Sequence, residues 1–150
     1  MALDITSVTI EQLGPILHKQ CRLWQRRLRL SDWNVHVRIC RLNEMGRDCV
    51  GQIRSFLESK DATMMLLSPM DLPLISSEEY IKENANYDLT IVHELLHLHF
   101  APFQESDDTP KGVAQEQAIN CISQAIIRGY TGKVPTPAPP VGEPLVGNYL

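Results

Sequence analysis

Hydrophobic positions recur with a helical period near both ends of the chain and with a strand period between them. From Thr9 to Leu30 the residues Ile10, Leu13, Ile16, Leu17, Cys21, Trp24 and Leu28 form one apolar stripe. This predicts a first helix capped by Thr9, with Glu11 or Gln12 in its first turn. Gly14-Pro15 interrupts the pattern early, so a start as late as Pro15 is expected. After Ser31-Asp32 the period drops to two. Trp33, Val35, Val37 and Ile39 fall on one side and Asn34, His36, Arg38 and Cys40 on the other, which predicts a half-buried strand over 33–41. A less regular run from Cys49 to Leu57, with Val50, Ile53 and Phe56 as its apolar members, predicts a second strand. Glu58 to Asp61 reads as a hairpin turn. The continuously apolar Ala62–Leu67 predicts a third strand that is covered on both faces or lines a groove. Between Asp71 and Asn86 lies a connector in which Ser76 or Ser77 caps a short helix, with Glu78 and Glu79 in its first turn.

The densest apolar stretch, Asp88 to Phe100, carries His93-Glu94-Leu95-Leu96-His97, an H-E-x-x-H pattern. At ~100° per residue, Glu94 and His97 lie ~100° and ~40° from His93, while the leucine, isoleucine and valine positions fill the remaining circumference. A polar seam on an otherwise apolar helix is predicted, with Asp88 as N-cap and Pro102 ending the helix. Thr109-Pro110 opens a last helix that is expected to run to about Arg128 and end at Gly129, with Ile119, Ile122 and Ile126 as its core face. Five prolines then fall between Pro135 and Pro144. They allow neither a helix nor a central strand, so residues 131–150 read as an extended or disordered tail. The organisation expected is α+β: one domain over 1–130 with a small three-stranded antiparallel or mixed sheet, followed by that tail.

Composition narrows the function classes. A chain of 150 residues with net charge −4 is one domain and not a general nucleic-acid binder. Lys19, Arg22, Arg26, Arg27 and Arg29 share the outer side of the first helix. They read first as a solvated face and only second as a patch for nucleic acid or an acidic partner. Cys21, Cys40, Cys49 and Cys121 form no C-x-x-C pair and read as buried free thiols in a reducing compartment. With no basic leader and no spanning apolar run, a cytoplasmic protein without membrane contact is expected.

Two imidazoles one helical turn apart can chelate one metal ion, and the carboxylate of Glu94 can reach a water beside it without being a ligand. A catalytic site of this kind requires a third protein ligand. His99 lies ~240° around the wheel and points away. Glu105, Asp107 and Asp108 sit in a loop, where a carboxylate is held less firmly. Glu116, on a last helix that returns antiparallel, points to the border of the core, where the seam should be. Asn120, one turn further on, is placed to accept a hydrogen bond from the distal nitrogen of a ligating histidine. His36, on the polar side of its strand, reads as a surface residue.

His93-Glu94-x-x-His97 followed by Glu116-x-x-x-Asn120 on a later helix resembles the gluzincin branch of the zinc metallopeptidases. The order helix, three strands, motif helix, ligand helix is similar to minimal zincin-like domains, including small metallopeptidases of phage and bacterial genomes. The resemblance implies that His93, His97 and Glu116 bind zinc. It implies too that Glu94 takes a proton from the attacking water and passes it to the leaving amine of a peptide or protein substrate. It further implies that the third strand is the edge along which an extended peptide is laid. Two departures stand out. Asn120 occupies a position where many gluzincins have aspartate, and no residue is marked as the oxyanion stabiliser, for which Tyr87, Tyr130 and Arg128 are the candidates. The rival readings are a non-catalytic zincin-fold binding module and a protease recruited to nucleic acid through the basic first helix.

Overall fold

The computed structural model describes residues 8–84 and 87–132; the chain start, on which the expectation about a leader rests, and the tail from 133 onward lie outside them. Within these bounds the protein is mixed α+β, with five helices and one three-stranded mixed sheet. No helix among the described residues is long and apolar enough to cross a membrane.

The first helix, α1 (Ile10–Arg27), starts where the sequence places its cap. The Gln12 backbone N–H donates to Thr9 Oγ1 (3.3 Å), and the Thr9 backbone N–H donates to Gln12 Oε1 (3.1 Å). This reciprocal box holds the first turn, so the helix runs through Gly14-Pro15 instead of beginning there. The end differs from expectation as well, falling at Arg27 and not Leu30. Arg29 adopts φ +58°, and the Leu30 and Arg29 N–H groups bond back to the carbonyls of Gln25 (2.7 Å) and Arg26 (3.2 Å). A left-handed C-terminal cap is formed without the glycine that usually announces one. Gln25, buried, locks the following turn by donating to the carbonyls of Leu30 and Trp33.

The strands are β1 (Asn34–Cys40), β2 (Gly51–Phe56) and β3 (Asp61–Leu67). Their order is β1-β3-β2, with β3 parallel to β1 and antiparallel to β2. The third strand is therefore central, paired on both sides. That pairing rules it out as the peptide-binding edge that the resemblance implied, and the consecutive burial of Met64 to Leu67 covers both its faces there, which accounts for the unbroken apolar run. The open edges belong to β1 and β2. Phe56, expected as a core member of its strand, is 70% exposed at the hairpin end, where it pairs with Asp61 and, three residues from Ile53, faces the other side of the sheet. Cys40, on the polar side of the alternation, is buried at the end of the sheet. There Asp71 accepts from the Arg41 side chain (2.7 and 3.0 Å) and the Leu42 backbone (2.8 Å). Those bonds outweigh burial and hold the Asp71 carboxyl below the usual carboxylate range.

Two short helices follow, α2 (Leu72–Ile75) and α3 (Glu78–Glu83), and of the two candidate serines it is Ser77 that caps α3. The motif helix α4 (Asp88–Phe100) packs against α1, β2 and the last helix, α5 (Pro110–Thr131). Asp88 is its first helical residue, not its cap. Its carboxylate accepts from Trp24 Nε1 (2.6 Å) and from the Gln20 amide, tying the start of α4 to α1. The capping position is taken by Tyr87 at φ +63°, a left-handed conformation that costs a bulky residue ~1–2 kcal/mol. The Tyr87 ring is buried, and its hydroxyl donates to the Leu67 carbonyl (2.7 Å), which fixes α4 to the end of β3.

Thr109 caps α5, but the helix continues through Gly129 to Thr131, and Gly132 takes the left-handed φ of +72°. Its buried positions are Gly112, Ile119, Ser123 and Ile127, whereas Ile122 is 39% exposed and Ile126 only partly buried. The inward face is thus turned by roughly 60–70° from the one expected. Gly112 is required by contact, since a Cβ there would lie 2.0 Å from the Ser106 backbone oxygen. Gly112→Ala is expected to destabilise the fold by about 1–3 kcal/mol through backbone displacement, read as a lowered denaturant midpoint at unchanged m.

Candidate metal centre

The turn of α5 carries Glu116 into the middle of its buried face instead of the border, directly opposite the polar seam of α4. His93 Nε2 lies 2.9 Å from Glu116 Oε1, His97 Nε2 lies 3.3 Å from Glu116 Oε2, and the two Nε2 atoms are 3.4 Å apart. The three side chains are partly buried, at 14% (His93), 30% (His97) and 33% (Glu116) exposure. Ligand atoms bound at ~2.1 Å around a tetrahedral ion stand ~3.4 Å from one another. Two of the three separations match this, and only the His93–Glu116 pair is closer. His93, His97 and Glu116 are accordingly a group that could hold a metal ion. Two imidazoles and one carboxylate suit several divalent ions and leave a coordination position for solvent.

The charges are coupled. Burial acts to raise the Glu116 carboxyl, but hydrogen bonds from His93 and His97 outweigh it and hold that carboxyl far below its ordinary range. Burial acts to lower His93, yet Glu116, the charge of Glu94 and a hydrogen bond with Asn120 together raise it. Asn120 is therefore in reach of the histidine it was expected to orient, and sits on α5 one turn beyond Glu116.

Glu94 points to the other wall of the seam. It is 6% exposed, and burial pushes its carboxyl up against the opposing pull of His93 and His97. The wall is β2. A Cβ on Gly51 would meet Thr90 Cγ2 at 2.5 Å and Glu94 Oε1 at 3.1 Å, so the absence of a side chain there makes room for the carboxylate. Thr90 is in turn bonded to the buried Tyr80 hydroxyl (3.0 Å).

The remaining sequence candidates lie elsewhere. His99 is exposed and its Nε2 is 2.8 Å from the Leu28 carbonyl oxygen. His36 is exposed beside Asn34. Glu105, Asp107 and Asp108 remain in an exposed loop, where Asp107 pairs with Arg47 (3.3 Å). Of the proposed oxyanion stabilisers, Tyr87 is committed to Leu67, and Tyr130 packs on Trp24 and Arg27. Arg128 lies ~18 Å along α5 from Glu116. Cys121, expected to be buried like the other thiols, is exposed. Sequence reasoning missed Arg47, whose charge acts on Glu94 and on Cys49 just before β2. Only its position four residues before Gly51 hinted at the site. No family model, curated protein or solved structure matches the chain.

Proposed function

We propose that the protein is a zinc-dependent peptidase of zincin-like architecture, cutting peptide bonds in an extended substrate. The observation that carries this reading is the convergence of His93, His97 and Glu116 from two helices, with the buried carboxylate of Glu94 adjacent to the group and not part of it. A zinc ion bound by those three residues supplies a Lewis acid that makes water nucleophilic at neutral pH and polarises a carbonyl.

The protein's own side chains supply the rest. Glu94, its carboxyl raised by burial, accepts a proton from the attacking water and delivers it to the departing amine. Asn120 holds the His93 ring. Gly51 brings the start of β2 against Glu94, so the open edge of β2 replaces β3 as the strand along which substrate pairs. Arg47 is the candidate for the role first sought in Tyr87, Tyr130 and Arg128, stabilising negative charge on the carbonyl oxygen once its guanidinium leaves the exposed pairing with Asp107 (3.3 Å). Arg47→Gln is expected to lower kcat by ~10²-fold with little change in KM; an unchanged kcat would remove it from the mechanism. The general test is a quenched-fluorescent peptide library incubated with zinc-loaded protein. Cleavage that a chelator stops and zinc restores is expected, while no cleavage with zinc bound favours a non-catalytic binding module.

A further inference from the structure

The basic side of α1 carries a row of cations. Lys19, Arg22 and Arg26 follow one another at three and four residues, within a ~60° stripe about 10 Å long. All three are exposed, and among the described residues none forms an ion pair. The only acidic residue on this helix is Glu11, in its first turn. Arg27 is drawn off the stripe, its guanidinium lying 4.7 Å from the Trp24 ring and 4.4 Å from that of Tyr130. Arg22 and Arg26 border a groove of about 200 Å³ between α1 and the start of β1, completed by Gln25, Ser31, Trp33 and Asn34. The carboxylate nearest in sequence, Asp32, is paired with Lys60, and Asp61 accepts from the Asn34 amide (3.1 Å), so the charged members of the lining itself are Arg22 and Arg26. The groove lies on the β1 side of the sheet, and the metal-ligating cluster on the β2 side.

We infer that this groove binds the phosphodiester backbone of a nucleic acid. In a chain of net charge −4, an uncompensated row of cations is a local feature against the overall balance. Arginine forks match phosphate oxygens in pairs, and Arg22 and Arg26, one helical turn apart, both border the groove. An acidic peptide would also need apolar pockets for its other side chains. Here the apolar members Trp33 and Val35 are 6% and 5% exposed, so more of the accessible lining is polar than apolar.

The test is fluorescence anisotropy of the full-length protein with a labelled 20-nucleotide single strand and its duplex, between 50 and 200 mM salt. Arg22→Gln/Arg26→Gln should weaken binding at least ~10-fold at low salt and reduce the slope of log K against log salt by about 1.4–1.8. The charge-matched pair Lys111→Gln/Arg128→Gln should leave both unchanged. Unaltered thermal unfolding and unaltered cleavage of short peptides would place the loss in the groove, not in the fold or the metal site. No binding by the wild type at 50 mM salt, or an equal loss in the control pair, would overturn the proposal. So would displacement by polyglutamate as effective as by unlabelled oligonucleotide, which would point to an acidic protein instead.

Discussion

Glu94→Gln is expected to lower peptide hydrolysis by at least ~10³-fold while zinc remains bound at one ion per chain. Glutamine has the size of glutamate, so the contact with Gly51 and Thr90 survives, but an amide accepts no proton. The same substitution should not destabilise the fold. Glu94 is buried and its carboxyl is raised, so the folded state holds the proton more tightly than the unfolded one. Any stabilisation from this group is present below the ordinary carboxyl pKa and lost as pH rises through the folded value. Where Glu94 is ionised in the folded protein its buried charge opposes folding, and glutamine removes that opposition. An inactive variant with a melting temperature equal to or above that of the wild type is the signature. Retained turnover would remove Glu94 as the base, and a lowered melting temperature would show that its charge is held by partners the proposed role does not include.

Glu116→Ala is expected to abolish the thermal stabilisation that zinc gives the wild type. An ion that binds only the folded state, at a thousandfold excess over its Kd, stabilises by ~4 kcal/mol, on the order of 10 °C for a domain of this size. Removing Glu116 takes away one ligand and leaves the two imidazoles without the carboxylate both now face. The pH dependence has a definite sign. Metal must displace the proton from His93, which Glu116, Glu94 and Asn120 make easier to hold despite burial. The zinc-dependent gain should therefore be full at alkaline pH and begin to fade above the usual imidazole pKa of ~6.5 as pH falls. A gain independent of pH, or one that survives in Glu116→Ala, would place the ion somewhere other than this cluster.

How far the fold and site could be read ahead depended on whether the signal was local. The motif helix and its seam follow from the H-E-x-x-H spacing inside an otherwise apolar run, although its cap is Tyr87 and not Asp88, and the Thr9, Ser77 and Thr109 caps follow from side chains bonding three residues away. Glu116 was identifiable for its chemistry, but its setting was not. The isoleucines suggested one face of α5, while the face actually buried carries Gly112, Ile119, Ser123 and Ile127, with Gly112 seated against the Ser106 backbone. The sheet order was not legible. Strand periodicity describes what each strand buries, not which strand it joins, and the parallel pairing of β1 with β3 spans the whole of β2. Arg29 and Tyr87 are left-handed without being glycine, because Leu30 and the Leu67 carbonyl hold them from outside. Gly51 and Arg47 join the site only through the same tertiary arrangement.

The claim on which the account rests is one metal ion held by His93, His97 and Glu116 with Glu94 standing off it. Anomalous diffraction at the zinc edge from crystals of the zinc-loaded protein addresses it most directly. A single strong peak is expected at ~2.0–2.2 Å from both Nε2 atoms and a Glu116 oxygen, with the Glu94 carboxylate outside bonding distance. A zinc-loaded crystal with no peak there, or with Glu94 in place of Glu116 among the ligands, would contradict it.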